Sequence, residues 1–242
     1  MIINVYTAKG GSGKTTICHN LAYLLASKNK RVLAIDCDAQ ASLTTCFGID
    51  NVDYTFADAL FNKSIAIEDT ILEITKNIFL LPSSYALSLI DIHFNNTRKD
   101  RQLLSKKFLK KIESNFDFIL IDNAPSISIL QLNNLIACDM LISPIEPSYL
   151  SYKTLETTKI ILDELNLKTK PYIILNKYND RINDNKDIYK LAENDYDVLG
   201  TVSQSVNVSK IYTGLPIVMQ MPNAKQSQEL QQICKELIER MG

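Results

Sequence analysis

The chain has 242 residues, of which 46% are hydrophobic and 22% are charged, and its formal net charge is −1. These values exclude a disordered chain and one that is basic over its whole surface. No segment approaches the roughly 18 apolar residues of a membrane span, and the N-terminus has no signal-peptide pattern. We therefore expect a cytoplasmic protein, with its five scattered cysteines reduced and mostly buried.

Short apolar segments alternate with helical patterns along the chain. The predicted strands are Ile2–Tyr6, Val32–Ile35, Ile78–Leu81, Phe118–Ile121, Met140–Ile142, Tyr172–Leu175 and a weaker Val198–Val202. The predicted helices are Lys14–Ser27, Asp100–Ser114, Ile127–Ala137, Ser151–Leu165, Asp184–Glu193 and Ser227–Met241. Most strands lack polar alternation, as expected for strands covered on both faces. The pattern predicts an α/β fold with a doubly wound, mostly parallel β-sheet and helices on both faces.

No linker or repeat interrupts this pattern, so we expect one domain over residues 1–242 without a separate N-terminal DNA-binding module. Residues 48–77 carry the weakest pattern. We expect short helices there.

The sequence AKGGSGKTT at residues 8–16 follows the first predicted strand directly and opens the first helix. Its three glycines allow a tight turn whose N–H groups point at an anion, and the positive end of the helix lies at the same spot. Lys14 offers a charge to the β- and γ-phosphates of a nucleotide, and Thr15 offers a hydroxyl to Mg²⁺. The residues expected to bind the nucleotide here are Lys9, Gly10, Gly11, Ser12, Gly13, Lys14, Thr15 and Thr16.

This loop resembles the K-G-G-x-G-K-S/T-T pattern, the deviant Walker A motif of the ParA/MinD family of partition and positioning ATPases. The resemblance extends along nearly the whole chain and implies an Mg²⁺-dependent P-loop ATPase that binds ATP. It also implies that Lys9, on the outer shoulder of the loop, reaches a nucleotide bound by a second subunit. Lys9 would then be catalytic together with Lys14, in the manner of an arginine finger.

Two aspartates, Asp36 and Asp38, follow the second predicted strand, and alternate positions of an extended chain point the same way. Because ligands of parallel sheets lie at the carboxyl ends of strands, both should face the phosphate loop. The resemblance implies that Asp38 polarises the attacking water and that Asp36 supports the magnesium or the switch geometry. The family usually has a proline where this chain has Ala39.

The apolar run before Asp122 is a Walker B pattern, which delivers this carboxylate to a strand end where it can bind Mg²⁺. The segment that follows, residues 123–126, resembles the family's second switch, which includes Pro125. The predicted metal-binding residues are therefore Thr15, Asp36 and Asp122.

A further strand ends at Asn176, whose amide can both donate and accept hydrogen bonds. In the family, an asparagine at this strand end binds adenine, and residues 214–217 resemble a segment that packs near the same base. Pro216 and Met219 are the expected apolar contacts. An asparagine stands at position 179, where guanine-reading motifs have an aspartate, so ATP is favoured over GTP.

The resemblance to small ParA proteins implies an ATP-dependent homodimer that binds non-specific DNA through Lys/Arg–phosphate contacts and is released by a ParB-like centromere-binding partner. Many members have an arginine where this chain has Gln204. The candidate replacements are Lys153, Lys159, Arg181, Lys186, Lys190 and Lys210.

The resemblance to small ParA proteins also implies that the protein associates with the nucleoid. Three alternatives stay open, and one of them is an ATPase that positions a protein cargo instead of DNA. A MinD-like ATPase would use the last helix on a membrane, but the polar face of that helix is rich in glutamine and carries mixed charges, so we expect it to pack in the core and membrane binding to be absent. A metabolic relative, such as a dethiobiotin-synthetase-like ligase or a nitrogenase iron protein, fits less well. The former typically lacks a lysine equivalent to Lys9, and the latter needs paired cluster cysteines.

Overall fold

A computed structural model describes residues 1–94, 104–205 and 214–240. One eight-stranded sheet runs through these residues in the order β3-β4-β2-β5-β1-β6-β7-β8. All neighbouring strands pair in parallel except β3 and β4, which are antiparallel. The strands are β1 (Ile2–Val5), β2 (Val32–Cys37), β3 (Leu72–Thr75), β4 (Ile78–Leu81), β5 (Phe118–Asn123), β6 (Met140–Ile145), β7 (Pro171–Tyr178) and β8 (Asp197–Ser203).

Helices cover both faces of this sheet. They are α1 (Lys14–Ala26), α2 (Ser42–Cys46), α3 (Phe56–Phe61), α4 (Ile90–Phe94), α5 (Leu104–Ile112), α6 (Ile129–Ala137), α7 (Tyr149–Glu164), α8 (Asn183–Asp195), α9 (Ile217–Gln220) and α10 (Lys225–Glu239). The predicted doubly wound, mostly parallel fold is confirmed. Of the predicted helix Asp100–Ser114, only the part from residue 104 lies within the described residues.

Alternate residues of the central strands point into the two layers. Ile3 and Val5 of β1 pack with the helices α1 and α10, whereas Ile2 lies in the opposite core with α3 and α5. Because both faces are covered, the strands need apolar residues at every position, which explains their unbroken hydrophobic runs.

The last helix, α10, packs in the core as expected. Its residues Leu230, Ile233, Cys234 and Leu237 are all buried, and they join the same cluster as α1 and β1. The apolar stripe of α10 is therefore occupied by its own sheet. Met241 lies outside the described residues.

The expectation of short helices over residues 48–77 is correct for α3 but wrong for residues 72–75, which form the edge strand β3. The two residues Lys76 and Asn77 join β3 to β4 as a hairpin, with Thr75 opposite Ile78. An edge strand has one open side, so β3 alternates half-buried and exposed residues and lacks the apolar run of the central strands.

Candidate active site

The phosphate loop connects β1 to α1 in a conformation that depends on glycine. Gly11 and Gly13 have φ values of 74° and 97°, in the left-handed region, and the first helical bond runs from the Ile17 N–H to the Gly13 carbonyl at 2.9 Å. A Cβ atom on Gly13 would lie 2.1 Å from Nδ2 of Asn176. Gly13 is thus fixed by its backbone and by the close approach of β7.

Lys14 is almost fully buried at the base of this loop. Its Nζ donates to the Lys9 carbonyl at 3.1 Å. Burial lowers the pKa of its ammonium group, and Asp122 and Asp38 partly oppose this shift. The hydroxyl of Ser12, in the same loop, is buried and has no hydrogen-bond partner within the described parts of the chain. A buried cation beside an unpaired hydroxyl is an environment that favours an anion such as a phosphate.

Asp122 lies at the end of β5, directly opposite Asp36 of β2. Its Oδ2 accepts a hydrogen bond from Thr15 Oγ1 at 2.7 Å, while its Oδ1 is buried and without a partner among the described residues. Burial, followed by the charge of Asp36, raises the pKa of Asp122 well above its usual value. A divalent cation would supply the missing partner, because carboxylate and hydroxyl oxygens suit Mg²⁺. The hydroxyl of Thr15 and the carboxylate of Asp122 are therefore suitable ligands for the predicted Mg²⁺.

Asp36 is buried beside Asp122, but its oxygens are occupied. Oδ2 accepts from the N–H and the hydroxyl of Thr44, both at 2.8 Å, and Oδ1 accepts from the Asp38 N–H at 3.1 Å. Burial raises its pKa to about 6 against the effect of these hydrogen bonds. Asp36 thus ties the start of α2 to β2, and its switch-supporting role stays a prediction. Direct metal binding by Asp36 stays a prediction.

Asp38 is half-buried at the mouth of the site. Its carboxylate accepts from the Gln40 N–H at 2.9 Å, and its carbonyl accepts from Ser83 Oγ at 2.6 Å. A cavity of about 270 Å³ separates Asp38 from Pro125 and Ser126 of the second switch segment. The structure therefore brings both predicted switches to one cavity.

Lys9 lies at the surface of the loop, with 37% of its side chain exposed. Its Nζ donates to Ser151 Oγ of α7 at 2.9 Å and lies 3.8 Å from Oε2 of Glu146. The two lysines of the loop therefore differ, since Lys14 is buried in the site and Lys9 faces outward.

Sequence reasoning missed the residues that contact Lys9. Glu146 follows β6, the neighbour of β1, and Ser151 lies in the first turn of α7. Lys177 also contacts this group, because its Nζ bonds to Glu146 Oε1 and donates to the Gly11 carbonyl at 3.0 Å. The available signal was the polar segment that follows a buried strand at the carboxyl edge of the sheet.

Of the predicted base-binding residues, Asn176 contacts the phosphate loop directly. Asn176 is buried, and its Nδ2 donates to the Ser12 carbonyl at 2.9 Å. Pro216 is buried before α9, whereas 52% of Met219 is exposed. Tyr23 fixes this segment to α1 by donating to the Gly214 carbonyl at 3.1 Å. Adenine binding by Asn176 and Pro216 stays a prediction.

The candidate DNA-binding residues are dispersed over two helices. Arg181, Lys186 and Lys190 are exposed on α8 and the loop before it, with the two lysines one helical turn apart. Lys153 and Lys159 are exposed on α7, where Lys153 bonds to Glu156 at 2.6 Å. Gln204 is exposed after β8, and Lys210 lies outside the described residues.

Known proteins are similar to this chain over most of its length. Residues 1–175 match the family model described as an AAA domain. The sporulation initiation inhibitor protein Soj of Bacillus subtilis is 31% identical over 171 residues, 68% of this chain and 67% of Soj. The chromosome-partitioning ATPase Soj of Treponema pallidum is 35% identical over 164 residues, 65% of this chain and 63% of that protein.

Solved structures share the same fold. A plasmid partition protein of Borrelia burgdorferi bound to AMPPNP is 27% identical, with a TM-score of 0.85 over 99% of this chain and 98% of that one. The septum site-determining protein MinD of Pyrococcus horikoshii, complexed with Mg-ADP, is 24% identical, with a TM-score of 0.80 over 100% of this chain and 97% of that one. Fold and site together define a P-loop ATPase. The chain belongs to the ParA/MinD-type ATPases of the AAA domain family.

One further observation concerns membranes. Within residues 1–94, 104–205 and 214–240, no helix combines the length and the apolar character needed to cross a bilayer.

Proposed function

We propose that this ATPase binds ATP with Mg²⁺ and partitions DNA as an ATP-dependent dimer. The relatives support this proposal, because two of them are Soj proteins and a third is named as a plasmid partition protein. The single observation that carries it is the separation of the two loop lysines. Lys14 is buried within its own site, and Lys9 reaches the surface of the same loop.

Within one subunit, the phosphate loop binds the triphosphate through its N–H groups and Lys14. Mg²⁺, bound by Thr15 and Asp122, would neutralise charge on the phosphates. Asp38, at the mouth of the cavity between the switches, orients the attacking water. Asp36 keeps Asp38 in place through the Asp38 N–H.

Between subunits, Lys9 completes the site. When Lys9 leaves Ser151 and Glu146, its flexible side chain extends from the loop toward a nucleotide bound by a facing copy. The added positive charge stabilises the transferring phosphoryl group, a contribution worth on the order of 10³- to 10⁵-fold in related reactions. ATP thereby joins two subunits, and hydrolysis releases them.

The DNA-binding surface of this dimer includes Arg181, Lys186 and Lys190, which are exposed together on α8 and its preceding loop. Two copies double this charge, so a chain whose net charge is −1 can still bind DNA through a local patch. A ParB-like protein is the partner expected to stimulate hydrolysis and release the DNA.

The test combines two variants with two ligands. Lys9→Ala should remove ATP-dependent dimerisation and turnover, whereas Asp38→Ala should retain the dimer and stop turnover. Sedimentation with duplex DNA and with anionic liposomes, each with and without ATP, shows whether the ATP-bound protein binds DNA or a membrane surface. Retention of dimer and activity in the Lys9 variant contradicts the proposed mechanism, and ATP-dependent binding to liposomes instead of DNA contradicts the partition role.

A further inference from the structure

Lys177 occupies an unusual backbone position next to the predicted base-binding residue. Its φ of 59° lies in the left-handed region, which a residue with a side chain adopts at a cost in free energy. The register between β7 and β8 shifts here, because Asn176 and Tyr178 pair with consecutive residues of β8. Lys177 is therefore the extra residue of a bulge, a feature that redirects side chains beside active sites.

The redirected side chain reaches the phosphate loop. Nζ of Lys177 donates to the Gly11 carbonyl at 3.0 Å and forms an ion pair with Oε1 of Glu146. The other oxygen of Glu146, Oε2, lies 3.8 Å from Nζ of Lys9. The carboxylate of Glu146 thus faces two ammonium groups, one at each oxygen. Lys9 belongs to the phosphate loop, and Lys177 contacts the same loop.

We propose that Lys177 is a positioning residue that allows Lys9 to leave Glu146. This inference rests on the proposed function, in which Lys9 reaches a nucleotide in a second copy of the chain. When Lys9 departs, Glu146 keeps Lys177 as its cation and is not left as an unpaired, half-buried carboxylate. Without Lys177, Glu146 would bind Lys9 alone, and the departure of Lys9 would separate the remaining ion pair.

The ion pairs are partly exposed, so each contributes modestly. Side-chain exposures are 37% for Lys9, 46% for Lys177 and 30% for Glu146. Pairs of this kind are worth up to about 1 kcal/mol, which corresponds to roughly a fivefold change in an equilibrium constant. A dimer contains this group twice, so the expected effect of Lys177 on the dimer dissociation constant is up to roughly 25-fold.

The experiment measures the dimer dissociation constant by analytical ultracentrifugation, with Mg²⁺ and a non-hydrolysable ATP analogue. Lys177→Met changes one site in each subunit, so it should weaken the dimer by up to roughly 25-fold, and Lys177→Arg should restore it. In the background of Glu146→Gln, which removes the negative charge, Lys177→Met should change the constant less than about twofold. Lys235→Met, which removes a lysine from an exposed ion pair on α10, is the matched control and should have no effect.

An equal effect of Lys177→Met in both backgrounds would overturn the inference, because Lys177 would then act only through the Gly11 carbonyl. Lys177→Gly provides a second test if the methionine variant folds poorly, since glycine accepts the left-handed backbone. A wild-type chain that stays monomeric with the analogue contradicts the proposed dimer itself. A dimer without coupling between Lys177 and Glu146 contradicts only the role of Lys177.

Discussion

Two neighbouring aspartates in this site have different roles, although both lie near the end of an apolar strand. The oxygens of Asp36 accept hydrogen bonds from Thr44 and from the Asp38 N–H. Asp122 has one buried oxygen without a partner among the described residues. Asp36 therefore stabilises the folded loop, and Asp122 is an unsatisfied charge that a cation would complete. The same residue type thus stabilises a loop at one strand end and leaves an oxygen open to a cation at the other.

This difference predicts unequal effects of the same substitution on stability. Asp122→Asn should abolish Mg²⁺-dependent ATP turnover but raise the free energy of unfolding of the nucleotide-free protein at pH 8. The pKa of Asp122 is raised in the folded state, so its stabilising effect is lost as pH rises through that pKa, and asparagine avoids this loss. Chemical denaturation from pH 5 to 8 tests this prediction, because the difference in unfolding free energy between Asp122→Asn and the wild type should grow with pH.

Asp36→Asn is the matched comparison. The pKa of Asp36 is also raised, to about 6, so asparagine avoids part of the same loss at high pH. An amide nitrogen cannot accept a hydrogen bond, so this variant also leaves a donor from Thr44 or Asp38 unpaired, at a cost of roughly 1–3 kcal/mol, and should be less stable at pH 8 than Asp122→Asn. Equal stability changes in the two variants would contradict the assigned roles.

Gly13 is the residue at which the loop tolerates no side chain. Gly13→Ala should abolish nucleotide binding and destabilise the fold by roughly 1–3 kcal/mol, because its Cβ would collide with Asn176 in a left-handed backbone. Gly11 has a similar φ, but a Cβ atom there would meet open space, so Gly11→Ala shows the effect of backbone strain without a collision. Binding of a fluorescent ATP analogue, with thermal unfolding, should show the larger loss for Gly13.

At the scale of elements, an aromatic cluster joins α1 to α2 behind the site. His19 packs edge-on against Tyr23 and Phe47, with ring centroids 5.4 and 4.6 Å apart. Burial lowers the pKa of His19 to about 4, so its imidazole is neutral at physiological pH. Tyr23 also donates to the Gly214 carbonyl, and the cluster therefore connects α1, α2 and the predicted base-binding segment.

The cluster predicts how stability depends on pH. The unfolded chain protonates His19 near pH 6.5, whereas the folded chain does so only near pH 4. Stability from this group is therefore complete above pH 6.5 and is lost as pH falls toward 4, by roughly 3 kcal/mol in total. His19→Phe should flatten the unfolding free energy over this interval. An unchanged slope would contradict the buried, neutral imidazole.

The elements also show what sequence reasoning can and cannot reach. The central strands and the phosphate loop were predictable, because each has a strong local pattern of apolar runs or glycine spacing. β3 was missed because it is short, lies at an edge and alternates in burial. Glu146 and Lys177 were missed because their roles arise from a strand neighbour and a bulge, and neither leaves a local pattern.

At the scale of the molecule, strand order assembles the site from distant segments. β1 lies between β5 and β6, and β2 follows β5, so the phosphate loop, Asp122 and Asp36 meet at one edge of the sheet. β7 brings Asn176 and Lys177 to the opposite side of the loop. The basic residues of α8 follow β7 directly, so the proposed DNA-binding residues lie close in the chain to Asn176, the predicted base-binding residue.

This proximity leads to a prediction for DNA binding. The triple variant Arg181→Ala, Lys186→Ala and Lys190→Ala should weaken ATP-dependent DNA binding equally for all sequences, because phosphate contacts carry no sequence information. If each residue contacts one phosphate in each subunit, the dimer loses six contacts, and the slope of log K against log salt should become less steep by roughly five. Titrations at several salt concentrations measure this slope. The variant should keep its ATP-dependent dimer, since these side chains lie outside the phosphate loop, and an unchanged slope would place the DNA on another surface.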